Sequence, residues 1–270
     1  EQDDNGPLRV SLNCASGTVS AHILLVATGA GSLPLSLSET EQYVGPTALA
    51  MRCYVRSNAD IASGILSYDR SVIPGFAWIF PLGDGLFNIG CGTTARRIGF
   101  RVHSLRKTFE RFVTHFQPAM ELFRHGERES PLRGFPLQTT LARHPIAHGG
   151  RVLTIGEAAG TTYRFTGEGI SPAIKSALIA ADIVTQTLIS NDVRLLEDYA
   201  HRLASELTPR KTGFQRAEKY LSNSMLSNFA ASRIRNSTRL QSLCAGIIAG
   251  TSNPSAVYSA KALLRSIWRK

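Results

Sequence analysis

Cysteine is scarce and scattered. Cys14, Cys53, Cys91 and Cys244 form no C-x-x-C pair and have no histidine at ligand spacing, which argues against a zinc site. Nor do they make a disulfide scaffold, so a reduced, cytoplasmic chain is expected. Acidic residues are few at one end. Residues 201–270 hold twelve basic side chains against Glu206 and Glu218 alone, and this accounts for the whole formal net charge of +10. No uninterrupted apolar run reaches the length of a membrane-crossing helix, and Glu1-Gln2-Asp3-Asp4 is not the start of a signal peptide. A G-x-G-x-x-G is missing too: Gly29-x-Gly31 is followed by Pro34 where a third glycine would stand. There are no internal repeats and no low-complexity tracts. What remains is 270 residues, 43% apolar and 19% charged, with Gly 23 and Pro 12. That excludes disorder, collagen and coiled coil and leaves one large or two modest globular domains.

The patterning predicts strands over Leu8–Asn13 and Thr18–Thr28 around the turn Cys14-Ala15-Ser16-Gly17. The second ends in Ile23-Leu24-Leu25-Val26-Ala27, a run expected to be buried on both faces. Further strands are predicted over Ala48–Val55, Ile65–Tyr68, Gly75–Phe80, Leu86–Gly92 and Arg151–Ile155. Pro81-Leu82-Gly83-Asp84-Gly85 reads as a hairpin turn between two of them. Leu105, Phe109, Phe112 and Phe116 fall at helical spacing and predict a helix over His103–Phe116. From 172 onward the pattern is helical: 172–189, 193–206, 210–229, 232–247 and 255–269. Strands, one helix, strands and then helices exclude an all-α protein and a pure sandwich and point to an α+β fold.

Three segments are candidates for chemistry. Gly156-Glu157-Ala158-Ala159-Gly160 follows an apolar strand; its small residues admit a close neighbour and leave one carboxylate beside it, although a tight turn with a solvated glutamate explains it equally. Thr166-Gly167-Glu168-Gly169-Ile170-Ser171-Pro172 has Ser171 as expected N-cap and Pro172 as first helical residue. Backbone N–H groups and the positive helix end converge there on an electron-rich ligand, if the segment is more than an ordinary cap. Ile174, Leu178, Ala181 and Leu188 form the stripe by which this helix is expected to face the core. In the third segment, Phe76-Ala77-Trp78-Ile79-Phe80-Pro81, alternation puts Phe76, Trp78 and Phe80 on one face. Such a wall suits a large apolar ligand and suits plain sheet core as well.

Together these segments resemble the geranylgeranyl reductase family of FAD-dependent oxidoreductases, within the p-hydroxybenzoate hydroxylase-like superfamily. The resemblance runs over residues 8–190. It is carried by Leu25-Val26-Ala27-Thr28-Gly29-Ala30-Gly31-Ser32, by Gly75–Gly85 with Asn88-Ile89-Gly90-Cys91-Gly92, by Gly156–Gly160 and by Phe165–Ile170. It implies an FAD/NAD(P)-binding-like domain (an α/β FAD-binding remnant, residues 1–34 and 141–190) interleaved with an antiparallel-sheet substrate domain, 35–140, and followed by a basic helical C-terminal region, 191–270. It implies FAD contacts at Thr28, Gly29, Gly156, Glu157, Ala158 and Gly160, and at Thr166, Gly167, Glu168, Gly169 and Ile170 against the flavin pyrimidine edge. Substrate contacts are implied at Phe76, Trp78, Phe80 and Pro81. The implied reaction is flavin hydride transfer to C=C bonds of a prenyl or other apolar substrate, with NAD(P)H or another reductant as electron donor. Glu157 stands where the family usually has Asp. Arg164 replaces a common Pro and is expected to reach a phosphate or an acidic substrate. The family's N-terminal strand, G-x-G-x-x-G loop and helix do not occur, so the chain resembles the C-terminal two-thirds of such an enzyme.

The superfamily shares these motifs with flavin-dependent monooxygenases and halogenases, and fold alone does not fix chemistry. A non-catalytic lipid- or prenyl-binding protein, or an inactive fragment, is the alternative of another class. No motif residue is placed as a proton donor by the pattern, and Cys91 reads as a small core residue. Lys261, Arg265 and Arg269 share one face of the last predicted helix, with Val257, Ala260, Leu264 and Ile267 on another and Trp268 near the edge. This predicts a peripheral contact with an anionic membrane surface. Arg233, Arg235 and Arg239 lack interleaved aromatics, so nucleic acid is not expected.

Overall fold

The computed structural model describes residues 8–11, 18–31, 46–73, 75–94, 102–142, 144–147, 150–221 and 224–256. The final predicted helix and its basic face lie outside them. Two compact units are formed, one from residues 1–45, 138–162 and 168–208, the other from 46–137, 163–167 and 209–270.

In the first unit, β1 (Leu8–Ser11) and β2 (Thr18–Ala21) pair antiparallel, and β3 (Leu24–Val26) belongs to a different sheet. The single strand predicted over Thr18–Thr28 is thus broken at His22 and Ile23, because its two halves find different partners. With β10 (Ile146–Ala147) and β11 (Val152–Thr154), β3 makes a three-stranded sheet in the order β10-β11-β3, and β3 and β11 run parallel. Leu25 is 41% exposed, so the run 23–27 is not covered on both faces as expected.

A 3-10 turn, Gly156–Ala159, follows β11, and the long α-helix of this unit covers Ile170–Ser190. The predicted stripe of that helix is on the wrong side. Ile174 is 56% and Leu178 65% exposed, and Ala181 and Leu188 are exposed with them. The buried stripe is Pro172, Ser176, Ala180, Ile183 and Thr187. Its small side chains let the helix approach Leu153 and Ala159, next to Leu196, Tyr199 and Leu203. The helix is long and apolar enough to cross a membrane by length and composition. It carries the ion pairs Lys175–Glu206 and Asp182–Arg202 with the helix Asp198–Leu221.

The second unit is built on one long strand, β4 (Ala48–Ser57), inside a six-stranded antiparallel sheet. β5 (Ile65–Ser67), β6 (Gly75–Gly83) and β7 (Leu86–Thr94) lie to one side of it, and β8 (Gly126–Arg128) and β9 (Arg133–Leu137) pair with it on the other. Asp84 and Gly85 both have positive φ, 48° and 70°, the requirement of a two-residue type I′ turn. Helices α1 (Val102–His115) and α2 (Gln117–Arg124) cover one sheet face. Numbering from them, the helix Ile170–Ser190 is α3.

Leu105, Phe109 and Phe112 of α1 pack with Met51, Cys53, Val55, Ala77, Ile79 and Ile89. Cys91 is buried in this cluster and its thiol is pushed up to about 12 by that burial, as suits a core residue. The segment 117–137, not predicted as regular structure, holds α2, β8 and β9.

After a 3-10 turn at Val193–Glu197, α4 (Asp198–Leu221) runs through Pro209, where a break between two helices was predicted. The missing amide of Pro209 costs one helical hydrogen bond, offset by burial of Leu203 and Leu207 on one side of it and Phe214 and Ala217 on the other. α5 (Ser224–Arg235) and α6 (Thr238–Ile248) follow, the latter capped by the Ser237 side chain accepting from Leu240 N–H. The described residues beyond 208 group with the sheet of the second unit, and 191–208 with the first.

Candidate functional site

In the first unit, parallel pairing sets the register Val152↔Leu24, Leu153↔Leu25 and Thr154↔Val26, extended by Ile155 N–H donating to Val26 O at 2.9 Å. Two chain segments, Ala27-Thr28-Gly29 and Gly156-Glu157, therefore leave adjacent strands at their carboxyl ends, the usual ligand edge of a parallel sheet. Gly156 and Gly29 both have positive φ, 61° and 68°, open to glycine at little cost. The Gly156 N–H donates to Ser176 Oγ at 2.8 Å, which fastens the turn to the second turn of α3. Gly160 ends the turn in the left-handed region, and a Cβ there would overlap the Thr140 carbonyl. Ala158 packs with Val26 and Val152 and Ala159 with Leu153. These three residues shape the turn from behind.

Glu157 is the half-buried carboxylate this turn presents. Its Oε1 accepts from Gln138 N–H at 3.2 Å and from the Thr162 hydroxyl at 3.4 Å, while Oε2 lies 3.7 Å from where a Gly29 Cβ would stand. Burial pushes its carboxyl above the ordinary range, opposed by those two donors. A Cβ on Gly169 would come within 2.9 Å of Thr162 Oγ1. Thr162 is thus held between Glu157 and the start of α3, and it brings the two glycine turns together.

The N-cap of α3 is Gly169, not Ser171, and it makes no side-chain cap. Pro172 falls in the third helical position. The helix starts earlier than its best capping residue predicts because Gly169 has no Cβ to collide with Thr162. The amides of Ile170 and Ser171 have no partner within the helix, and a positive helix end favours an electron-rich group.

These residues suit a flavin dinucleotide. A carboxylate with one oxygen held and the other facing a glycine fits a ribityl hydroxyl, and the adjacent Thr161 hydroxyl is fully buried with no hydrogen-bond partner among the described residues.

In the second unit the predicted alternation is observed. Ala77 and Ile79 are fully buried toward the helices, and Phe76, Trp78 and Phe80 share the other face, with Phe80 38% exposed. The rings form a series, Phe76–Trp78 at 5.8 Å and Trp78–Phe80 at 6.4 Å between centroids. They are admitted by glycine: Trp78 lies opposite Gly90 and Phe76 opposite Gly92 across β6 and β7, and a Cβ on either glycine would collide with its ring. Trp78 Nε1–H donates to Asn88 Oδ1 at 3.0 Å. Pro81 stands at the bulge between Pro81 and Gly83.

Gly167 has φ 70°, and a Cβ on it would lie 2.5 Å from Phe76 Cζ, so the Thr166-Gly167 turn touches the aromatic wall. Phe165 stacks on Tyr68 at 4.6 Å, and the Tyr68 hydroxyl donates to Phe165 O at 3.3 Å. Phe165 belongs to the segment that carries the family resemblance, whereas Tyr68 was read only as the end of a strand, and no sequence signal marks the two as a pair. Arg164, expected to reach a phosphate or an acidic substrate, meets a carboxylate of this chain. Its Nε lies 3.0 Å from Glu218 Oε2, an ion pair without hydrogen-bond alignment.

No protein-family model matches the chain. It is 28% identical over 163 residues to a digeranylgeranylglycerophospholipid reductase of Methanococcoides burtonii, covering 57% of this chain and 38% of that protein. It is 29% identical over 199 residues to the menaquinone reductase of Mycolicibacterium smegmatis, covering 68% and 46%. The chain thus spans less than half the length of these relatives.

Among solved structures, a geranylgeranyl bacteriochlorophyll reductase-like protein of Thermoplasma acidophilum superposes with a TM-score of 0.71 at 18% identity, covering 98% of this chain and 64% of that one. A flavin-dependent brominase gives 0.66 at 13% identity, covering 97% and 69%. The fold is that of the FAD-dependent oxidoreductases, mixed α/β with C-terminal helices. Over part of its length the chain is a distant homologue of the geranylgeranyl reductase and menaquinone reductase family of these enzymes.

Proposed function

We propose that this chain carries the flavin-contacting turns and the substrate face of an FAD-dependent reductase that saturates C=C bonds of a prenyl substrate. The observation that carries the reading is the Glu157 carboxylate, held over positive-φ Gly29 at the carboxyl ends of two adjacent parallel strands. Identity to prenyl-lipid and quinone reductases supports it.

Glu157 and Gly29 would hold the ribityl chain, and the amides of Ile170 and Ser171 would face the electron-rich edge of the ring. FAD supplies hydride when bound and reduced, with NAD(P)H or another reductant as donor. The chain's own part is to orient that ring and to hold the apolar substrate against Phe76, Trp78 and Phe80, away from water.

The direct test is titration of FAD fluorescence with the purified chain, which is expected to quench; Glu157→Ala is expected to weaken binding at least about tenfold, the loss of a charge-assisted hydrogen bond. Anaerobic incubation with reduced FAD and a geranylgeranylated lipid is then expected to add two mass units per reduced double bond. A folded chain that binds the lipid but never FAD is a prenyl-binding protein, and the proposal fails.

A second reading, oxygenation or halogenation, has its support in the fold shared with the brominase. An oxygenated or halogenated product in air, in place of the saturated one, decides for it.

The chain is further read as cytoplasmic, in keeping with free Cys53, Cys91 and Cys244, and as touching a membrane surface. α5 supports the latter: Met225, Leu226 and Phe229 are exposed and Arg233 and Arg235 follow them. Sedimentation with anionic liposomes is expected, with loss on Phe229→Glu.

A further inference from the structure

We propose that the face of the antiparallel sheet opposite its helices binds a phosphate-type head group at Arg52 and Arg133, so that the substrate is a prenyl chain with an anionic end and not a neutral prenylquinone. The inference rests on the proposed function for its apolar half.

Met51, Cys53 and Val55 of β4 enter the helix-covered core. By the period of two, Arg52 and Tyr54 stand on the opposite face, the one that carries the aromatic wall. Register places them in rows. Trp78 is opposite Gly90, Gly90 opposite Arg52, and Arg52 opposite Arg133. At about 4.8 Å between strands, β4 lies about 10 Å from the strand of Trp78. The intervening Gly90 contributes no side chain, and the Trp78 ring occupies the space over it. The apolar surface therefore extends across β7 toward Arg52.

The Arg52 guanidinium carbon is 4.6 Å from the Tyr54 ring centroid and 5.5 Å from that of Phe135, contacts that fix it without cancelling its charge. Among the described residues, neither Arg52 nor Arg133 forms an ion pair with a carboxylate. Arg56, on the same strand, shows the contrast: it pairs with Glu129 and donates to Asp84 O at 2.8 Å. Two like charges directly opposite on one sheet face are unfavourable, and an anion bridging them reverses the sign. The planar guanidinium fork matches phosphate oxygens in geometry. Cations at one edge of a ring-paved surface suit an amphiphile with a phosphate end.

The experiment is calorimetric titration of the 270-residue chain with geranylgeranyl phosphate, geranylgeraniol and inorganic phosphate. At low salt the prenyl phosphate is expected to bind at least about tenfold more tightly than the alcohol, with the gap closing at high salt, and inorganic phosphate at least about a hundredfold more weakly than the prenyl phosphate. Arg52→Gln and Arg133→Gln should each remove most of the gap while alcohol binding stays unchanged, Arg52→Lys should restore part of it, and Arg56→Gln should leave all three constants as they were. Arg133 is exposed, so its variant keeps the test valid should Arg52→Gln not fold. Equal binding of phosphate and alcohol overturns the head-group site and leaves the aromatic surface standing. Inorganic phosphate binding as tightly as the prenyl phosphate overturns it in favour of a free-anion site. Binding of none of the three overturns both this inference and the proposed substrate class.

Discussion

The two units bury their apolar residues in different ways. The antiparallel-sheet unit has a cluster closed by its own helices, with Phe112, Ile79, Ile89 and Leu122 fully buried. The parallel-sheet unit has a smaller cluster around Leu153, Tyr199 and Leu203 and leaves Ile170, Ile174, Leu178, Leu188 and Ile189 of α3 exposed. An antiparallel sheet completes its pairing from hairpins close in sequence, whereas among the described residues the parallel sheet has two strands and one short antiparallel neighbour, which offer little area to cover a 21-residue helix. Chemistry follows the same division: ring contacts and cations mark the first kind of sheet, glycine turns and a carboxylate the second.

The largest expected effect is in the closed core. Phe112→Ala should cost about 3–5 kcal/mol in urea unfolding followed by Trp78 fluorescence; a loss below about 1 kcal/mol would mean that the cluster is not close-packed. Gly90→Val comes next at about 1–3 kcal/mol, since the added carbons meet the Trp78 ring and the Met51 carbonyl; an unchanged midpoint would show that the ring does not lie over the glycine.

Lys211 tests burial by pH. Burial lowers its pKa to about 7 from 10.5. The unfolded chain then binds the extra proton between those values, so stability rises with pH across that interval and is flat below it. Lys211→Met should abolish that slope, measured as Tm against pH, and should raise Tm near pH 7.

In the parallel-sheet unit the changes are smaller. Burial raises the Glu157 pKa, so the folded state favours the protonated acid and loses stability as pH rises from the unfolded value through the folded one. Glu157→Gln should therefore hold or raise Tm at pH 7 while weakening FAD, a split that a purely structural glutamate would not give. Smallest of all, Ile174→Ser with Leu178→Ser should move stability by no more than about 0.5 kcal/mol and should reduce self-association in light scattering. A large loss of stability would restore the predicted core-facing stripe.

Much of the antiparallel unit was legible because its signals are local. Alternation fixed the faces of Phe76, Trp78 and Phe80, helical spacing fixed Leu105, Phe109 and Phe112, and Asp84-Gly85 marked the turn. The alternation Met51-Arg52-Cys53-Tyr54-Val55-Arg56 was equally readable and would have pointed to the cationic edge, yet only the pairing of β4 with β9 brings Arg133 opposite Arg52. The reading of α3 failed because large apolar residues were taken for the buried side, when small residues at 172, 176 and 180 allowed the closer approach. Ser171 failed as a cap for a related reason: contact between Gly169 and Thr162 set the helix start. Arg164, expected to reach a phosphate or an acidic substrate, pairs with Glu218, and Lys211, one of the twelve basic residues of 201–270, is buried.

Sequence by itself determined the strands and first helix of the antiparallel unit, the Glu157 turn and the Gly167 turn, and the one-sided aromatic strand, since each depends on residues within a few positions of one another. Tertiary structure alone decided which face of α3 is covered and that Trp78, Gly90, Arg52 and Arg133 fall in one row. Those depend on register and packing between segments tens of residues apart, where free energy is set by which partner is close enough to exclude water and by no property of either segment alone.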